Sequence, residues 1–241
     1  MNIKNEYQDL TKNSNKQLSL TILFATLILF VYCYFGTYSF FEKTFPNCKN
    51  LDFYKIIYHN TMSFILFFGV GTIFTKFVLK QSLSENGLNL KNSKFMLRVM
   101  LLALIIVPLL ALSTTLDKQM CNTYPLVNFN TFNEWYYILT YFISYFLYYV
   151  GWEYLFRGVL FFNLKQNTNP ITAILVTTLI SSLIHTSIAG FGKPLVETLS
   201  AIPAGLIFGY LTYKTDNIYS SLYCHTLTGF LTDLFIVLIV H

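Results

Sequence analysis

Residues 95–114 read FMLRVMLLALIIVPLLALST, an apolar run in which Arg98 is the one charged residue. An α-helix rises about 1.5 Å per residue, so a run of about 20 apolar residues matches the hydrocarbon core of a bilayer, which is about 30 Å thick. The whole chain is 54% hydrophobic and 11% charged, with a mean hydropathy of +0.52, whereas soluble domains carry about a quarter charged residues. The sequence therefore predicts a membrane-embedded protein.

Six further segments share this apolar character. Together they predict seven transmembrane helices, at 18–40, 61–79, 95–114, 135–164, 171–188, 195–213 and 218–240. The first is too long and too aromatic for a cleaved signal with a short apolar core, so we expect a retained helix after a cytoplasmic segment at 1–17. The loops are too short to enclose a core, and no internal repeat is visible. Residues 18–241 are thus predicted to form one all-α polytopic membrane domain.

The lysines and arginines are distributed unevenly between alternate loops. With a cytoplasmic N-terminus, the inner set is Lys4, Lys12, Lys16, Lys76, Lys80, Lys91, Lys94, Arg98, Arg157, Lys165 and Lys214, and the outer set is Lys43, Lys49, Lys55, Lys118 and Lys193. By the positive-inside rule this excess predicts a cytoplasmic N-terminus and an external C-terminus. The net charge of +5 is modest and dispersed, so membrane lipids are expected partners and nucleic acid is not.

The four cysteines fall into two groups. Cys48 and Cys121 lie in loops that this orientation places outside, where they form a disulfide in an oxidising compartment or remain two free thiols. Cys33 and Cys224 lie within predicted spans, where packing as small apolar residues is expected.

Four ionisable side chains interrupt the apolar segments: Glu153, Arg157, His185 and His225. A charged group at bilayer depth costs at least a few kcal/mol, so such groups usually face a shared interior and act there. Glu153 and Arg157 are four residues apart on one helix face, where they either serve a site or only hold the bundle together as an ion pair. Each histidine is either a site residue or a hydrogen-bonding residue between helices.

Their depths in the membrane agree. Measured from the cytoplasmic helix ends, Glu153 lies roughly 18 Å deep, His185 roughly 22 Å and His225 roughly 12 Å, at 1.5 Å per residue. Three separate helices thus carry a carboxylate and two imidazoles towards the middle of the hydrocarbon core. We therefore predict one polar site inside the membrane.

The segment at 195–213 contributes a packing surface and another acid. Ala201, Gly205 and Gly209 recur every four residues, a ridge of small side chains along which helices approach closely. Glu197 is predicted at nearly the depth of His185, so we expect it to point into the bundle and to support that histidine. The alternative is a carboxylate in the headgroup layer.

The sequence around Glu153 resembles a family motif. The CAAX prenyl endopeptidase and bacteriocin-processing intramembrane proteases, called CPBP or abortive-infection-like proteins, carry Glu-Glu-x-x-x-Arg, commonly with Phe before the Arg and Gly after it. Glu153, Phe156, Arg157 and Gly158 match this motif. His185 matches the histidine that ends the second motif, and His225 begins the third, His-x-x-x-Asn. The resemblance covers about 135–235.

Three positions depart from these motifs. Trp152 stands where the paired acids begin with the favoured water-activating base, Ser181 replaces an aromatic residue before the second-motif histidine, and Gly229 replaces the Asn of the third motif. Trp-Glu followed by Gly-Lys-Pro at 192–194 is similar to a bacterial subgroup, so a bacterial cell membrane is expected.

These departures redistribute the roles. The resemblance leaves Glu153 as the base, and it leaves Thr226, Thr228 or Asp233 to replace the lost oxyanion donor. Asp233 lies two turns after His225 on a similar face, so it is also a candidate supporting residue.

The resemblance implies an intramembrane endopeptidase acting on a peptide or lipopeptide. Glu153 and His185 would activate water, His225 would stabilise the oxyanion, and Arg157 would fix the Glu153 carboxylate. The cofactor is left open between none and a divalent metal such as zinc, with Glu153, His185 and His225 as possible ligands. The sequence has no His-Glu-x-x-His zinc helix.

Two other functions fit the same composition. A catalytically impaired membrane scaffold or immunity-type protein that binds peptides would tolerate the replaced motif residues. A proton-coupled transporter would also place ionisable groups at the midplane, but the lack of pseudo-repeat halves argues against it.

Overall fold

The computed structural model describes residues 15–186 and 192–240. All regular elements in these two ranges are helical, as expected where lipid offers the backbone no hydrogen bonds. The helices are α1 (Lys16–Phe35), α2 (Tyr38–Thr44), α3 (Leu51–Val78), α4 (Ser93–Leu116), α5 (Lys118–Thr123), α6 (135–167), α7 (Pro170–Ile184), α8 (Leu195–Thr215) and α9 (Tyr219–Ile239), with a 3₁₀ turn at Leu83–Asn86. The predicted all-α polytopic membrane fold is confirmed.

Five helices are long and apolar enough to cross a membrane, namely α1, α3, α4, α8 and α9. The two remaining predicted segments correspond to α6, which is longer but rich in tyrosine, and to α7, which is apolar but has only 15 residues. Each predicted segment is therefore a helix, although several boundaries differ.

The largest boundary error is at the start of α3, which begins at Leu51 rather than at residue 61. Its polar residues find partners within the protein: Lys55 Nζ lies 2.7 Å from Asp52 and 2.9 Å from Glu42. His59, further along the same stretch, is buried. Glu42 belongs to the preceding helix α2, and Asp52 comes next to Lys55 only when residues 51–60 are helical.

Two helix ends also differ from the prediction. The segment predicted at 18–40 divides at Gly36, the C-cap of α1. Glycine fits this position because a Cβ there would collide with the Tyr32 ring. The segment predicted at 171–188 ends as a helix at Ile184, which leaves His185 as its C-cap; residues 187 and 188 lie outside the described ranges.

Helix α6 is the centre of the bundle, since every residue in 151–164 is buried. Helices α3 and α9 pack against it, α7 packs against α8, and α4 packs along α9. The α6 helix has an α-helical part at Trp135–Glu153, a π-helical part at Tyr154–Leu160 and an α-helical end at Phe161–Asn167. Such π-helical turns occur frequently at functional sites, and this one begins directly after Glu153.

The predicted small-residue ridge packs α8 against α7. A Cβ at Gly205 would lie 2.8 Å from Thr178, and one at Gly209 would lie 3.1 Å from Ile174. The two glycines thus allow the close approach that the four-residue spacing predicts.

Cys33, Cys48 and Cys224 are free thiols in the structure. Cys48 Sγ donates to the Lys49 carbonyl oxygen at 3.4 Å, and Cys121 Sγ donates to the Thr115 carbonyl oxygen at 3.3 Å. The predicted disulfide between Cys48 and Cys121 is therefore not present in the structure.

Gly151 controls the packing of α6 on α3. A Cβ at this position would lie 2.5 Å from the Ser63 carbonyl oxygen, which is a backbone atom that no side-chain rotation can move. We expect Gly151→Ala to lower the free energy of unfolding by about 1–3 kcal/mol through overpacking, seen as a lower thermal midpoint in detergent. Gly69→Ala is the control, because its Cβ would lie 3.9 Å from the Phe64 carbonyl oxygen, which is ordinary van der Waals contact. Equal midpoints for the two variants would contradict this account of the packing.

Candidate active site

The first contact of the site joins α6 to α9. His225 Nδ1 lies 2.8 Å from Glu153 Oε1; the Glu153 side chain is fully buried, and the His225 side chain is 21% exposed. An ionised carboxylate only accepts hydrogen bonds, so Nδ1 carries the proton of this bond. In the neutral ring Nε2 is then the acceptor, on the edge that faces away from Glu153.

Arg157 lies on the other side of the same carboxylate. Its NH1 atom is 3.7 Å from Glu153 Oε1, and its guanidinium carbon lies 5.7 Å from the ring centre of Phe208. Within the described ranges, Glu153 Oε2 and Arg157 Nε have no hydrogen-bond partner. A buried pair with unpaired polar atoms stabilises a bundle poorly, which favours a functional role over the purely structural ion pair.

His185 is fixed at the end of α7. Its Nδ1 lies 2.7 Å from the Ser181 carbonyl oxygen, which can only accept, so Nδ1 carries the proton here too. The Thr198 hydroxyl donates to the His185 carbonyl oxygen at 3.1 Å and ties this end to α8. The ring of Trp152 meets the imidazole edge-on, with 5.6 Å between ring centres.

Both histidines line one cavity, and Glu153 and Arg157 lie behind His225 outside its wall. The other residues that line this cavity are Tyr38, His59, Asn60, Leu126, Tyr145, Tyr148, Tyr149, Lys193 and Glu197. The cavity is thus enclosed by aromatic rings and contains several hydrogen-bonding groups. The cavity volume is about 30 Å³, which is room for about one water molecule, so the cavity suits an attacking water and not a whole peptide.

Glu197 points into the bundle and lines the same cavity as His185. Its carboxylate accepts from the Tyr124 hydroxyl at 2.7 Å and lies 3.3 Å from Lys193 Nζ, which also bonds to the Tyr124 hydroxyl. Burial and the adjacent Glu197 carboxylate raise the pKa of Tyr124 well above its usual value, so this phenol stays protonated and donates. The support of His185 by Glu197 remains a prediction, because the Glu197 carboxylate hydrogen-bonds to Tyr124 and pairs with Lys193.

Asp233 is buried away from the cavity. Its Oδ2 accepts from the Tyr141 hydroxyl at 2.6 Å, a bond that joins α9 to α6. Thr228 donates to the Cys224 carbonyl oxygen of its own helix at 2.8 Å, and Thr226 lines a separate apolar pocket. None of the three predicted replacements for the third-motif Asn is among the residues that line the cavity.

Sequence reasoning missed two cavity residues on α3. His59 Nδ1 lies 2.6 Å from the Gly36 carbonyl oxygen and Nε2 lies 3.0 Å from the Tyr32 hydroxyl. The Asn60 amide donates to the Ser144 hydroxyl at 3.1 Å. Both were assigned to a loop, although helical periodicity continuing upstream of residue 61 was a signal that could have found them.

The proposed metal ligands do not form a ligand set. Over 15–186 and 192–240, no three His, Cys, Asp or Glu side chains are grouped so that they could hold a metal ion. Glu153 Oε1 and His225 Nδ1 are hydrogen-bonded to each other, so these two atoms do not bind one metal ion together. The arrangement therefore does not fit the alternative in which Glu153, His185 and His225 ligate zinc.

Comparison with known proteins matches part of the chain to one family. Residues 133–231 match the model of the family described as Type II CAAX prenyl endopeptidase Rce1-like. The matched range contains Glu153, Arg157, His185 and His225. No curated protein and no solved structure matches the chain. The motif-based recognition of this protease family is confirmed for residues 133–231, the matched part of an integral membrane protein.

Proposed function

We propose that this protein is an intramembrane endopeptidase that hydrolyses a peptide bond of a membrane-associated or lipidated substrate. The observation that carries the proposal is the 2.8 Å bond between Glu153 and His225 at the wall of a cavity that also contains His185. A carboxylate that holds the Nδ1 proton of an imidazole leaves the other ring nitrogen free to accept a proton. This arrangement is that of an oriented general base.

In the proposed reaction, His225 Nε2 accepts a proton from a water molecule as its oxygen bonds to the peptide carbonyl carbon. The imidazolium that forms is stabilised by the Glu153 carboxylate, whose Oε1 atom also lies 3.7 Å from the Arg157 guanidinium. When the tetrahedral intermediate collapses, the C–N bond breaks and the same proton passes to the leaving nitrogen. His225 is thus the base and Glu153 orients it, which reverses the roles implied by the resemblance.

His185 completes the positioning of the water molecule. Its Nδ1 is held by the Ser181 carbonyl oxygen, so Nε2 accepts the second hydrogen of the water and directs the oxygen lone pair to the substrate. Because both acceptors are fixed by packed helices, the water is oriented before the substrate binds, which lowers the entropic part of the barrier. This mechanism uses only side chains of the chain itself.

The family name suggests the substrate class. We propose a C-terminal Cys-a-a-X peptide whose cysteine carries a prenyl group, with the prenyl chain in the lipid and the scissile peptide bond next to the water that the cavity holds. The membrane scaffold remains the second candidate, because Trp152 replaces an acid that the motif contains.

A direct cleavage assay tests the proposal. Purified protein in liposomes is given a quenched fluorescent peptide that ends in a farnesylated Cys-Val-Ile-Met sequence, and the same peptide without farnesyl. We expect release of the last three residues from the farnesylated peptide, at a rate that a chelator does not change. Binding of the peptide without hydrolysis would favour the scaffold, and activity lost to a chelator and restored by zinc would move water activation to a metal.

A further inference from the structure

The place of the third-motif Asn is occupied by a side chain from another helix. An ideal Cβ built on Gly229 would lie 1.8 Å from the hydroxyl oxygen of Tyr149 and 2.7 Å from its Cζ atom. No side chain fits at position 229 while Tyr149 keeps this conformation. The glycine is therefore coupled to the tyrosine, and the volume where an asparagine side chain would begin contains a phenolic hydroxyl.

Tyr149 also belongs to the cavity wall. It lies on α6 one turn before Glu153, its side chain is 4% exposed, and it lines the cavity together with both histidines. Its ring centre is 4.5 Å from that of His225. Position 229 is one turn after His225 on α9, so the hydroxyl lies beside the imidazole that contacts Glu153.

The chemistry of the phenol matches what the site lacks. A phenolic O–H is a hydrogen-bond donor at neutral pH, as an asparagine amide is. Donors held by packing against where negative charge develops stabilise it without reorganisation. The ring of Tyr149 is fixed by its contacts with His225 and with Tyr145, whose ring centre is 4.8 Å away.

We propose that Tyr149 is a catalytic residue that donates its hydroxyl hydrogen to the oxyanion of the tetrahedral intermediate. It takes over from α6 the role that the third-motif Asn would fill from α9, and this inference rests on the proposed peptidase function. In this chain the hydrogen-bond donor to the oxyanion is thus the Tyr149 phenol on α6, where the family motif has an asparagine amide on α9. The site keeps an oxyanion donor although Gly229 has no side chain.

The first test is Tyr149→Phe, which removes one oxygen and keeps the ring. We expect kcat for the farnesylated peptide to fall about 10²- to 10³-fold, the usual effect of losing one oxyanion donor, with little change in KM. Tyr154→Phe is the matched control, since it removes the same atom from a buried tyrosine of the same helix. The Tyr154 hydroxyl bonds to Thr75 and does not line the cavity, so this variant should keep kcat near the wild-type value.

The second test exchanges the donors. Tyr149→Ala removes the phenol and should be as slow as Tyr149→Phe, and adding Gly229→Asn to Tyr149→Ala should recover part of the lost kcat. Gly229→Asn alone should be slow, because its side chain collides with Tyr149. A residue that only supports packing would not be rescued by an amide placed on another helix.

The outcomes separate the two proposals. Wild-type cleavage with an unchanged kcat in Tyr149→Phe would overturn the role of Tyr149 and leave the peptidase function standing. Equal losses in Tyr154→Phe and Tyr149→Phe would also overturn it, since the effect would then belong to packing. Wild-type protein that binds the peptide without cleaving it would overturn both proposals.

Discussion

Glu153→Gln is expected to lower kcat for the farnesylated peptide by about 10⁴-fold, the loss seen when the carboxylate behind a catalytic histidine becomes an amide. The Glu153 carboxylate only accepts from His225 Nδ1, at 2.8 Å, whereas the glutamine amide can donate through its NH₂ group. A donating amide selects the ring tautomer with its proton on Nε2, which then cannot accept a proton from water. The substitution also removes the charge that stabilises the imidazolium.

The variant needs a control for folding, because it leaves Arg157 as an uncompensated buried charge. Breaking such a pair costs about 3–5 kcal/mol, so Glu153→Gln is compared with Glu153→Gln/Arg157→Gln, which should regain thermal stability and stay inactive. Glu134→Gln, at the exposed start of the same helix, should cleave like the wild type. A folded Glu153→Gln protein with wild-type kcat would show that water is activated elsewhere.

The fold could be predicted largely from local composition, because a transmembrane helix satisfies its own backbone within one segment. The prediction failed where polar residues are neutralised by partners distant in the sequence. Asp52 and Lys55 suggested a loop, but Lys55 also pairs with Glu42 of α2, so the stretch continues α3. The mean hydropathy of a stretch of consecutive residues contains no information about partners elsewhere in the sequence.

The candidate site was predicted only in part for a similar reason. The depth of a residue along its helix depends only on the rise per residue, so the sequence could predict that Glu153 and His225 both lie towards the middle of the membrane. It did not show which atom of His225 contacts the acid, and so which residue is the better base. Tyr149 was missed because α6 carries many tyrosines. What distinguishes Tyr149 from the tyrosines that only pack in the core is that its hydroxyl fills the space beside Gly229 where a side chain would begin.

The two histidines are predicted to act on the same water. His185→Ala and His225→Ala should each lower kcat by roughly 10²- to 10⁴-fold, the contribution of a positioned acid–base group. Both rings have their Nδ1 atoms bound to acceptors and line one cavity, so neither alone orients the attacking oxygen. The double variant should therefore be scarcely slower than the worse single variant, because groups that act as a unit fail together.

Steady-state kinetics on the two single variants and the double variant measure this coupling. His59→Gln is the control, since His59 lines the cavity but its ring nitrogens are bound to Tyr32 and to the Gly36 carbonyl oxygen. It should lower the thermal midpoint by loosening α3 from α1 and leave kcat of the folded protein near the wild-type value. Losses that multiply in the double variant would mean that His185 and His225 act in separate steps, and His185 would then be removed from water activation.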